Sequence, residues 1–334
     1  MTLKSALAAG TAALTLGLGL PAVAGGHLEE ITVAYFLEWP TPNQYAQATG
    51  AYEEALGLKI NWRAFDTGTA MSAAMASGDV QISFSQGIPP FVVAASAGQD
   101  LQVVDVAVSY SENDNCVVKE SLGITQENTG DLEGLKVAVP IGTAAHYGFL
   151  KQMAHFGVDT STMDIVDMAP PDGAAAFAGG NLDMVCGWGG SLRRMKEHGN
   201  ILLTGAEKEA LGIKVFDATV IPTAFGAENP DIVATFLKVT ADMNAQFADG
   251  GADEMIPVIA KTAGMSEEDT AATLAGFVFP DLETQLSDAW FGGGAQTFLK
   301  EVGDFFVETG NIPAARESYE GAVNASFLAE AAEM

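Results

Sequence analysis

Basic residues are scarce in this chain. Lys and Arg number 15 against 43 Asp and Glu, for a formal net charge of −28. So acidic a surface repels nucleic acid and anionic membranes, which excludes both as partners. The four histidines and two cysteines fall in no H-x-x-x-H, H-E-x-x-H or Cys–His ligand spacing, so neither a metal nor a cofactor is expected. No G-x-S-x-G nucleophile elbow is present. Beyond the first residues, no apolar run approaches the ~20 residues of a membrane span.

What is present is enough apolar material for a core, 48% of 334 residues, and enough length for two domains. Lys4, the apolar stretch from Ala6 to Leu20 and the Ala22-Val23-Ala24 cleavage pattern read as a signal peptide over 1–24. Removing it takes away Lys4 and leaves 14 basic and 43 acidic residues, a net charge of −29. An exported protein is the expectation, and export permits a disulfide. Cys116 and Cys186 each border a β-like run, and either a bridge between them or two small buried residues fits.

The most informative stretch is Leu135 to Gly157. A β-like run, Leu135 to Val139, stops at Pro140, and Gly142 and the N-cap candidate Thr143 follow. A helix is then expected, with Phe149, Met153 and Phe156 on one face and Gly157 as its C-terminal stop. A strand feeding a small-residue turn and a helix start is where α/β sheets bind anions, because free N–H groups and the positive dipole end converge there. Similar corners recur at Asp66-Thr-Gly-Thr69 and Ser85-Gln-Gly-Ile-Pro-Pro90. Strands are expected over Ile31 to Tyr35, Leu58 to Phe65 and Val80 to Phe84, and one helix over Asn43 to Leu56.

A degenerate repeat links two halves. Phe65-Asp66, a small-residue helix and Ala76-Ser-Gly-Asp-Val-Gln-Ile82 match Asp167-Met168, a small-residue helix and Ala178-Gly-Gly-Asn-Leu-Asp-Met184 in order. Mixed stretches at 103–115 and 215–222 suggest two chain crossings and a two-segment hinge. The organisation expected is a first lobe from 25–109, a second from 110–217, and completion of the first by 218–334, where the pattern is helical.

These motifs carry a resemblance. Asn61-Trp-Arg-Ala-Phe-Asp-Thr-Gly-Thr69, Ala76 to Ile82 and Val139-Pro-Ile-Gly-Thr-Ala-Ala-His-Tyr147 resemble the taurine-binding branch of the aliphatic-sulfonate, nitrate and taurine binders of ABC importers. The resemblance implies an α/β, two-lobed periplasmic-binding-protein fold of the second type, with the ligand cleft between the lobes. It implies a monomeric, periplasmic protein that hands its ligand to an ABC permease in the inner membrane. Helix N-termini would meet the anionic group, and Asp217 matches the acidic residue that takes the amine. Two segments depart from the family pattern. The loop from Phe36 to Pro42 introduces Glu38 and Trp39, and Trp188-Gly-Gly-Ser191 has glycines where a Pro-Ala pair is usual.

Taurine holds a sulfonate and an ammonium two carbons apart, so its site needs neutral donors at one end and a carboxylate at the other. Gln86, Gly87, Thr143 and Ala144 are the candidate donors, with His146 or Tyr147 an addition. Asp217 and Glu38 are the candidate acids, and Phe36, Trp39 and Trp188 would enclose the alkyl link. The alternatives for these residues are ordinary ones: a solvated strand-end acid, a helix cap, a packing tryptophan. The alternatives for the protein are a binder of another small sulfonate, sulfinate or zwitterion such as hypotaurine, a ligand sensor without transport, or an enzyme resembling thiamine-pyrimidine synthases.

Overall fold

The computed structural model describes residues 28–334. The signal-peptide reading of 1–24 lies outside them. Eleven strands form two sheets: β1 Glu30–Phe36, β2 Lys59–Phe65, β3 Ile82–Gly87, β4 Leu101–Tyr110, β5 Asp114–Lys119, β6 Lys136–Val139, β7 Asp164–Asp167, β8 Met184–Trp188, β9 Gly199–Ile201, β10 Val215–Pro222 and β11 Phe277–Val278. One sheet runs β11-β4-β10-β3-β1-β2 and the other β7-β6-β8-β5-β9.

The repeat read from sequence is a shared topology. β2-β1-β3-β10-β4 and β7-β6-β8-β5-β9 have the same order and the same parallel and antiparallel pairings. In each sheet the strand that runs against its neighbours is supplied by a crossing from the other sheet: β5 follows β4, and β10 follows β9. The crossings are residues 111–113 and 202–214. Tyr110 and Val215–Asp217, expected in the second lobe, therefore belong to the first sheet.

Helices α1 Asn43–Thr49, α2 Ala51–Leu56, α3 Gly68–Ala76, α4 Ile88–Ser96, α5 Ala144–Phe156, α6 Pro170–Ala178 and α7 Gly189–Lys196 flank the sheets. The single helix expected from Asn43 to Leu56 is two, because Gly50 adopts φ 78° and ends α1 in a left-handed turn. The start of α5 follows the expectation: the Thr143 hydroxyl accepts from the His146 amide, and Gly157 (φ 69°) closes the helix. Phe149 and Met153 are fully buried. After Pro230 the chain is mostly helical, and its short β11 completes the edge of the first sheet.

Cys116 and Cys186 sit opposite each other on β5 and β8 and are disulfide-bonded. The bridge closes a loop across 70 residues. Its loss is expected to cost about 2–5 kcal/mol by freeing the unfolded chain. Urea unfolding of the native protein and of a Cys116→Ala/Cys186→Ala variant checks this, and equal midpoints would contradict it.

Candidate ligand-binding site

Four corners aim helix N-termini into one cavity between the sheets. Gly68 opens α3, Gly87 precedes α4, Thr143 and Ala144 open α5, and Trp188 precedes α7, and all five line it. The amides of the first turn have no carbonyl within their own helix to donate to, so the α3 and α5 corners supply donors and positive dipole ends. At α4, Pro89 and Pro90 carry no N–H, and at α7 the Gly189 and Gly190 amides already donate to the Asn113 and Glu38 carbonyls. Phe36, Trp39, Pro90, Tyr110 and Asp217 complete the wall. The space inside it that a water molecule can reach is about 20 Å³, room for about one water and well below the volume of ligand sites. None of the residues lining it is Lys or Arg.

Asp217 is the one ionisable acid in the wall, and it is only 3% exposed. It lies in β10 beside a register shift between Asp217 and Ala218, the kind of bulge that re-aims a side chain. Tyr110 donates its hydroxyl to Oδ1 at 2.7 Å, and Ser85 donates to Oδ2 at 2.8 Å. Trp39 donates its indole N–H to the Ser85 oxygen at 2.9 Å. Burial pushes the Asp217 carboxyl up to about 7, against the pull of the Tyr110 and Ser85 hydrogen bonds and with help from the Asp114 charge. Asp114 is itself raised to about 7 by burial, with Lys208 opposing. The Tyr110 hydroxyl is held well above its ordinary range by burial and by these two carboxylates.

Ser85 (φ 58°) and Glu38 (φ 56°) are the non-glycine residues with positive φ among those described. Such conformations cost about 1–3 kcal/mol each and persist where the surroundings enforce them. Ser85 supports Asp217, and Glu38 lines a neighbouring pocket that shares Phe36 and Trp188 with this cavity.

Of the candidate residues, Trp39, Gly87, Thr143, Ala144, Trp188 and Asp217 come together around the cavity. Glu38, Gln86 and His146 do not line it. Gln86 is fully buried and donates its amide to the Ser72 hydroxyl at 2.6 Å. His146 accepts at Nδ1 from the Gly142 amide at 3.1 Å and packs on Phe306. Burial lowers its pKa to about 4, so it is neutral near pH 7. Glu38 is occupied by Arg194 and Ser191. The Thr143 hydroxyl, expected to face a ligand, donates to the Pro140 carbonyl at 2.6 Å, so this corner offers backbone N–H groups instead. Sequence reasoning missed Tyr110 and Ser85, which meet Asp217 only through the pairing of β3, β10 and β4. Among the described residues, no group of three or more His, Cys, Asp or Glu is placed to hold a metal, and no helix is long and apolar enough to cross a membrane.

Residues 41–248 match the NMT1/THI5-like family. The taurine-binding periplasmic protein of Escherichia coli is 27% identical over 303 residues, which are 89% of this chain and 92% of that protein. A putative aliphatic sulfonates-binding protein of Bacillus subtilis is 28% identical over 234 residues, 68% of each chain. Among solved structures, the alkanesulfonate-binding protein of Xanthomonas axonopodis pv. citri bound to MOPS superposes with a TM-score of 0.72 at 18% identity, covering 89% of this chain and 98% of that one. At that identity the likeness is one of fold.

Proposed function

This chain belongs to the NMT1/THI5-like family, and from that premise we propose that it is the substrate-binding component of an ABC importer, taking taurine between two lobes of a periplasmic-binding-protein fold. One observation carries the reading: a single buried carboxylate, Asp217, faces a cavity onto which helix N-termini also open and which no Lys or Arg lines. Neutral N–H donors compensate a sulfonate, and the carboxylate takes an ammonium. A ligand with both groups satisfies both ends. The name of the E. coli relative points to the same chemistry. Export to the periplasm and delivery to a membrane permease belong to this reading. So does a hinge at 111–113 and 202–214, joining a lobe around the first sheet to one around the second. Ligand contacts to both lobes would favour the closed form.

The B. subtilis relative's name supports a second ligand set, simple alkanesulfonates, and the two readings differ in pH dependence. An ammonium needs Asp217 ionised. The unliganded carboxyl sits at about 7, so below that pH binding must expel a proton. Tyr110, Ser85 and Asp114 are the groups around it. Taurine affinity is therefore expected to fall by up to about tenfold per pH unit below about pH 7. Ethanesulfonate, which favours the neutral acid, should bind better as pH falls. Tryptophan fluorescence titration checks this, since Trp39 and Trp188 stand in the cavity wall. A taurine affinity constant from about pH 5 to about pH 8 would contradict the assignment of the ammonium to Asp217.

A further inference from the structure

The two segments that depart from the family pattern in sequence meet in the structure. The loop carrying Glu38 follows β1 of the first sheet, and Gly189, Gly190, Ser191 and Arg194 form the start of α7 behind β8 of the second. Glu38 contacts this turn with both its backbone and its side chain. Its carbonyl accepts from the Gly190 amide at 3.0 Å, while its own amide donates to the Ala263 carbonyl at 2.8 Å. Its carboxylate takes both Nη groups of Arg194, with Nη2 at 2.9 Å, and the Ser191 hydroxyl at 3.1 Å. Arg194 Nη2 also donates to Ser191.

The glycines make this approach possible. Gly189 has φ 55°, and a Cβ there would overlap the Glu38 carbonyl oxygen. A Cβ on Gly190 would lie 2.9 Å from that of Glu38. Only a turn without side chains admits the loop. Beside it, Phe36 and Trp188 pack edge to face with centroids 5.9 Å apart, and both line the ligand cavity. Next along α7, Arg193 pairs with Asp269.

We propose that Glu38 and Arg194 form a latch between the two sheets, positioning residues that set how long a ligand stays in the cleft without choosing which ligand it is. The bidentate fork gives the pair a fixed geometry that a single surface contact lacks. Its side chains keep 28% and 45% of their exposure, so salt should weaken it. With Glu38 bound in this way, the ammonium-binding role falls to Asp217 alone. The kinetic half of the inference rests on the taurine reading; the latch itself does not.

The test uses the full-length mature protein, with taurine as probe and stopped-flow tryptophan fluorescence as readout. Glu38→Gln and Arg194→Gln are each expected to speed taurine release roughly 3- to 10-fold, with association rates within about twofold of the parent. The double variant should release no faster than either single one. Raising salt from about 50 mM to about 500 mM should speed release from the parent and leave the variants unchanged. Unchanged release in both single variants, or additive effects in the double, would overturn the latch. A ligand-free arm keeps the two readings apart. Hydrogen exchange at the Gly190 amide should be faster in Arg194→Gln, with the thermal midpoint near that of the parent. If taurine fails to bind the parent, the taurine reading fails, and exchange alone decides: faster exchange supports the latch, and unchanged exchange overturns it.

Discussion

Replacing Asp217 with alanine is expected to weaken taurine binding by about 2–5 kcal/mol, roughly 30-fold to several-thousand-fold in Kd, while leaving ethanesulfonate within about tenfold. The asymmetry follows from the site. The Asp217 carboxylate is the one acid in the wall, and the Tyr110 and Ser85 hydroxyls fix its orientation. Alanine removes the partner of an ammonium that has left water, and it leaves the two hydroxyls without their acceptor. Asp217→Asn separates these costs. It keeps acceptor capacity for Tyr110 or Ser85 and removes only the charge, so it should lose nearly as much taurine affinity while holding the fold. It should also raise the stability of the unliganded protein at alkaline pH, because a buried acid whose pKa is raised to about 7 weakens the native state as pH climbs through that value. Calorimetric titration of both variants with both ligands checks this. Equal losses for taurine and ethanesulfonate would remove the ammonium from Asp217.

Gly87→Val is expected to weaken every ligand of this cavity by at least roughly 100-fold, at an overpacking cost of about 1–3 kcal/mol in stability. Gly87 has φ −57°, a conformation open to any residue. A Cβ there would meet the Ala144 Cβ, the Asp217 Oδ1 and the Pro90 Cδ, each at 3.5 Å. All three residues line the cavity, so the added methyl groups grow into the ligand's space. Gly68 makes a poorer probe, because a Cβ there lies 2.7 Å from the Pro90 ring and would disturb the α3–α4 packing first. A titration in which Gly87→Val binds taurine as the parent does would place the ligand elsewhere, whatever Asp217 does.

The corners were legible because their determinants are local. Thr67 and Thr143 each cap the helix that follows, and Pro89 stands in the first turn of α4. The repeat was legible for the same reason, since each half writes strand, helix, glycine turn and strand within a short stretch. The cage around Asp217 was not. Ser85, Tyr110 and Asp217 lie far apart in the chain, and only the antiparallel insertion of β10 between β3 and β4 unites them. The sequence left the cysteine bridge open because the register of Cys116 against Cys186 is a tertiary fact. Polar residue type also misled at helix starts: Thr143, Gln86 and His146 spend their side-chain groups on Pro140, Ser72 and Gly142. What those corners offer the cavity is backbone, which no residue type announces. Glu38 differs from the ammonium-candidate reading for another reason: it is paired with Arg194, which lies across the cleft on α7.

The central claim is that one cleft reads both ends of a short zwitterion, the anion by helix N-termini and the ammonium by Asp217. Calorimetric titration of the purified mature protein at about pH 7.5, where Asp217 is mostly ionised, tests it most directly with taurine, ethanesulfonate and β-alanine side by side. Taurine should bind tightest. Ethanesulfonate should be at least roughly 30-fold weaker for want of the ammonium, and β-alanine weaker for want of the sulfonate. Ethanesulfonate binding as tightly as taurine, or no binding of any of the three, would contradict the account.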